Sequence, residues 1–206
     1  MPLAPLASEI LDFWFVPREG EAPSGDAPAA VRGARHAERS VWFRKSAAFD
    51  AEIRSRFAMA LAAGLAGAFG DWCTTPQGSL ARVVLLDQFT RNAFRDSAEA
   101  FAGDRGALAT AEQAIEAEFD RALDPYERWF LYMPFEHGES LALQDRALAL
   151  FTALAQDTGL DTPLPWVARH REVIARFGRF PHRNELLGRE STPDEIAFLG
   201  QPGSRF

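Results

Sequence analysis

Three short stretches carry the side chains with chemical reach. Asp87, Arg91 and Arg95 recur four apart, the spacing at which a carboxylate and a guanidinium on one helix can meet. Glu136, His137 and Glu139 come directly after Pro134 and Phe135, and His182, Arg183 and Asn184 follow Pro181. Arginine offers forked N–H donors that fit a carboxylate or a phosphate, and neighbouring acids can hold those forks in place. Brought together, Asp87, Arg91, Arg95, Glu136, His137, His182, Arg183 and Asn184 would form a pocket for an anionic small molecule or a peptide end. Arg91, Arg95 and Arg183 would be its donors, Asp87 and Glu136 would orient them, and His137 and His182 would respond to pH, since an unperturbed imidazole titrates at about 6.5.

Other readings compete with this one. The same residues could be a buried ion-pair network that locks helix packing, because a buried charge left without its partner costs about 3–5 kcal/mol. An enzyme, including a metal-dependent hydrolase, would use Glu136 or His137 as a general base, which must lie within about 3 Å of the proton it takes. Glu136, His137, Glu139 and His182 are ligand types that suit zinc, manganese or iron, but no HExxH and no cysteine cluster accompanies them. A protein–protein scaffold would need an exposed concave apolar patch. The motifs GxSxG, GxGxxG and GxxxxGK[ST] are absent, so no nucleophile elbow, dinucleotide fold or phosphate loop is indicated and no cofactor is identified.

The positioning elements are helices. Alanine supplies 36 residues and leucine 21, against 20 for valine, isoleucine and threonine together, and no stretch alternates as a half-buried strand would. On a wheel of roughly 100° per residue, Leu80, Val83, Val84, Asp87, Arg91 and Phe94 share a face, with Leu85, Leu86 and Phe89 covering much of the other side. That helix is apolar nearly all round, so Asp87 and Arg91 are drawn inside with it. Further helices are predicted at 6–15, from Ser46, from Thr75 to about 92, from Asp104, from Asp124 to the break at Pro134, over 139–156, from Thr162 to Gly178, and from Thr192. Residues 17–35, rich in Gly, Pro and charge, read as a mobile loop or cover. The expectation is one all-α domain over 1–206, an array of about eight helices.

Three motifs in this order, Leu86–Arg95 (LDQFTRNAFR), Tyr132–Glu139 (YMPFEHGE) and Gly178–Asn184 (GRFPHRN), resemble the signature stretches of a bacterial family, domain of unknown function 924. Leu11–Phe15 and Trp42–Phe43 resemble it too, and the likeness extends from Ile10 to Leu187. It implies a tetratricopeptide-like fold with helices stacked as antiparallel pairs. It implies no activity, since none is established for the family. One position departs from the pattern: Gly138 stands where serine is expected beside the histidine.

Of the remaining candidates, His170 aligns with Trp166, Val173 and Phe177 and reads as packed, and His36 reads as solvated. Cys73 reads as a small apolar filler. Trp14, Phe15, Trp42 and Phe43 read as core rather than groove. The net charge of -7 disfavours a nucleic-acid partner. The longest uncharged stretch, Phe57–Phe69, is too short for a membrane span, Met1–Phe15 lacks a secretory pattern, and the single cysteine allows no internal disulfide, so a cytoplasmic location is expected.

Overall fold

A computed structural model describes residues 2–18, 21 and 31–204. Most of the loop expected at 17–35 lies outside the described residues. The fold is all-α: α1 (Pro5–Phe15), α2 (Ala47–Leu65), α3 (76–93), α4 (Asp104–Glu116), α5 (Pro125–Glu136), α6 (Leu141–Thr158), α7 (Leu164–Phe177) and α8 (Pro193–Leu199). Four of the expected start signals act as read. Ser46 and Thr75 accept from the backbone N–H groups of Phe49 and Gly78, and Asp124 and Thr192 each form a capping box with the glutamate three residues on. Gly159 and Gly178 end α6 and α7 with φ of 82° and 71°, a conformation that favours glycine.

One continuous apolar core runs from α1 to α7, with Trp14, Phe57, Phe89, Phe130 and Phe151 fully enclosed. Trp14, Phe15 and Trp42 belong to it as expected, whereas Phe43 is 51% exposed. A smaller cluster of Val173, Ile174, Phe180 and Phe198 holds α8. Short connections fold α6 back along α5 and α7 back along α6, so α5 and α7 run in the same direction.

Three local features differ from the sequence expectation. Helix α3 is not regular: a π-helical stretch, Val84–Phe89, interrupts it between Pro76–Val83 and Thr90–Ala93. Such turns occur mostly as single insertions in α-helices. The Thr90 hydroxyl donates to the Leu86 carbonyl (2.7 Å) and Arg91 Nη1 to the Asp87 carbonyl (2.8 Å), satisfying backbone there. Secondly, Pro134 does not stop α5, which continues to Glu136 with His137 as its C-cap. A proline this close to the end forfeits little of the helix beyond it. Thirdly, the N-cap of α4 is Gly103, not Asp104. A Cβ on Gly103 would lie 2.0 Å from the Leu86 carbonyl oxygen, so the start of α4 can press against the π-turn only as glycine.

Candidate functional site

The π-turn carries Asp87 into the interior, where it is fully buried. Its Oδ1 accepts from His137 Nδ1 (2.7 Å) and Arg91 Nη1 (3.0 Å), and its Oδ2 from Gln88 Nε2 (2.5 Å). Burial alone would raise its pKa, but the Arg91 and His137 charges and these donors overcome that and hold it at about 2. Asp87 is therefore ionised at neutral pH. Burial and the adjacent Arg91 push the His137 pKa below its usual 6.5, against the pull of Asp87. A neutral imidazole facing an ionised carboxylate must carry its proton on Nδ1, which leaves the lone pair on Nε2. Among the described residues Nε2 makes no hydrogen bond, and His137 lines a cavity of about 820 Å³.

The end of α5 is fixed by Gln144, which donates to the carbonyls of Glu136 (2.6 Å) and Gly138 (2.8 Å). Glu136 and His137 diverge from there: Glu136 Oε1 meets His170 Nδ1 at 3.0 Å, while His137 turns to Asp87. A Cβ on Gly138 would come 2.5 Å from Leu143 Cδ1, so the serine expected at this position requires Leu143 to move.

Two guanidiniums form the cavity floor. Arg91 is paired with Asp87 and with Asp104 (2.8 Å), and both carboxylates raise its pKa against the effect of burial. Arg183 lies between the rings of Phe101 (4.7 Å) and Phe180 (4.5 Å) and has Asp104 only at 3.5 Å. Burial and the neighbouring Arg91 charge push its pKa down to about 10, so it remains charged but poorly compensated. Arg91 Nη2 and Arg183 Nε are buried with no hydrogen-bond acceptor among the described residues. Buried donors of this kind are normally paired, and among the described residues Asp104 Oδ1 beside them is likewise buried without a hydrogen bond.

The structure brings Arg91, Arg95, Glu136, His137, His182 and Arg183 to this one cavity, with Asp87 directly behind it. Arg95 sits at its edge, engaged with Asp50 (2.6 and 2.9 Å). Asn184 and Glu139 do not line it. Asn184 bonds Ser191 and Arg189, and Glu139 accepts from both Arg189 Nη1 (2.5 Å) and Nη2 (2.9 Å). No group of three or more His, Cys, Asp or Glu among the described residues is arranged to hold a metal ion.

Two contributors escaped sequence reasoning. Asp104 passes for a helix cap in sequence but bridges Arg91 and Arg183. His170 is packed, as expected, yet it lines the cavity and pairs with Glu136; its position four residues after Trp166 on the cavity face of α7 was the available signal. His36 is not simply solvated: its ring lies 5.2 Å from Phe15 and its Nε2 3.3 Å from Glu127. Cys73 is buried, with Sγ 3.8 Å from Arg82 Nη1. No described helix is long and apolar enough to cross a membrane.

Among solved structures, a protein of unknown function, ATU0120 from Agrobacterium tumefaciens, is similar at 37% identity and a TM-score of 0.79, over 97% of this chain and 99% of that one. Comparison with curated proteins gives no match. The model of the bacterial proteins of unknown function DUF924 matches residues 10–203, which contain every residue of the cavity floor, and the chain belongs to that family.

Proposed function

We propose that the protein is a binding module for a small anionic molecule or peptide end, held on the Arg91–Arg183 floor. The observation that carries this reading is the pair of buried, acceptor-less donors, Arg91 Nη2 and Arg183 Nε, beneath one cavity. A carboxylate or phosphate supplies several acceptor oxygens, and bonds to charged donors are about twice as strong as neutral ones. The cavity volume of about 820 Å³ is in the range of small-molecule sites. A cytoplasmic setting fits the single cysteine. Isothermal titration with phosphate and short carboxylates tests the reading: heats from the parent chain should fall at least tenfold in affinity in Arg183→Gln. Equal affinities in parent and variant overturn it.

A second reading, an enzyme, is favoured by the Asp87–His137 pair. A carboxylate on Nδ1 orients the ring and leaves Nε2 basic, the relation found in general-base pairs. In this reading His137 takes a proton from a bound molecule or a water, and Arg91 and Arg183 stabilise the negative charge that develops. Turnover abolished by His137→Gln, with anion affinity retained, would distinguish it from binding alone.

A further inference from the structure

The cavity has a direction. The contact between Glu136 and His170 (3.0 Å) sets the level of α5 against α7, which run the same way. Towards both N-termini these two helices present apolar side chains to the cavity, whose lining there also includes Glu38, Arg44 and Lys45. Helix α5 presents Met133 and then Trp129, and α7 presents Trp166, all lining the same cavity. Trp129 is stacked on Phe43 at 5.2 Å and 23°. Phe43 and Trp166, at 51% and 55%, are the aromatic side chains among the exposed large apolar residues described, and both belong to this one cavity. From Glu136 to Trp129 is seven residues, or roughly 10 Å along the helix at about 1.5 Å per residue.

We propose that the ligand is amphipathic: an anionic head on Arg91 and Arg183, and an apolar body roughly 10 Å long against Met133, Trp129, Phe43 and Trp166. This rests on the anion-binding reading and specifies the other half of the molecule. A bare phosphate or acetate would occupy a small part of about 820 Å³ and leave two aromatic side chains in water. Removing that apolar surface from water is favourable in proportion to its area. Flat aromatic or aliphatic bodies both satisfy the wall.

Calorimetry on the full chain tests this with matched probes: phosphate and acetate as heads alone, 1-naphthyl phosphate and 1-naphthylacetate as complete ligands, and 1-naphthol as a body alone. At least one complete ligand should bind ten or more times tighter than its bare head and than 1-naphthol. Trp166→Ala, a change at a side chain 55% exposed, should weaken that ligand several-fold and leave the bare head unchanged; Phe43→Ala should act in the same direction. If bare heads bind as tightly as complete ligands, the amphipathic proposal falls while anion binding stands. If 1-naphthol binds as tightly as the complete ligands and Arg183→Gln changes nothing, both fall. Absence of binding by every probe at millimolar concentration also overturns both.

Discussion

Two ion-pair clusters make a contrast: the half-buried one around Glu139 is complete, and the buried one around Asp87 is not. In the first, Arg189 places Nη1 and Nη2 on Glu139, Nε on Asn184 Oδ1, and Nη2 also near the Phe180 carbonyl. Glu139 further accepts from the Phe180 N–H at 2.8 Å. Every face of that guanidinium has an acceptor, and the cluster clasps the segment after α7 to the start of α6. In the second, Asp104 is shared between Arg91 and Arg183, Asp87 between Arg91 and His137, and N–H donors remain over. The two clusters therefore differ not in charge but in whether their hydrogen-bonding capacity is matched.

The largest effect expected is at Asp87. Asp87→Ala removes the carboxylate that compensates Arg91 and orients His137, and should cost about 3–5 kcal/mol in urea unfolding. Glu139→Ala breaks the complete clasp and should cost about 2 kcal/mol without abolishing anion binding, which separates the two clusters by function. Arg183→Met removes a poorly compensated cation and inserts an apolar chain between Phe101 and Phe180. It should leave stability unchanged or raise it by about 1 kcal/mol while abolishing anion binding. A loss of several kcal/mol there would mean that the floor is as complete as the clasp.

The smallest effect is the pH dependence. His137 has a folded pKa below 6.5, so below that pH the unfolded chain binds more protons and stability falls until the folded pKa is passed. The groups facing it are Asp87, Arg91, Glu136 and the ring of His170. His137→Gln should flatten this part of the stability profile. Asp87 contributes in a separate window: its stabilisation is present above 3.8 and is lost as pH falls through about 2. An anion on the floor favours the protonated imidazole, so the affinity for sulfate, whose charge is constant in this range, should rise as pH drops below 6.5 in the parent and not in His137→Gln.

Much of this arrangement is legible in the sequence. Cap residues and proline positions act through their immediate neighbours, so the helix starts at Ser46, Thr75, Asp124 and Thr192 could be read directly. The burial of Asp87 and Arg91 could be read because apolar residues surround them on the helix. Asn184 belongs with the site, and Glu139 with the metal candidates, only by side-chain type and closeness in sequence, and neither property says which neighbour a side chain meets. Asp104 was missed because its role depends on Gly103 meeting the Leu86 carbonyl, a contact between distant segments. The π-turn was missed because a periodicity reading assumes one constant angle per residue.

That turn has a genetic consequence. A π-turn is an α-helix with a single residue inserted, so deleting one position between Val84 and Phe89 would return the segment to even winding. The residues beyond it, Arg91 and Arg95 among them, would then swing by roughly 100° about the axis relative to the first half of the helix. One extra codon is thus enough to turn a plain packing rod into one that delivers an arginine to the bottom of a hollow.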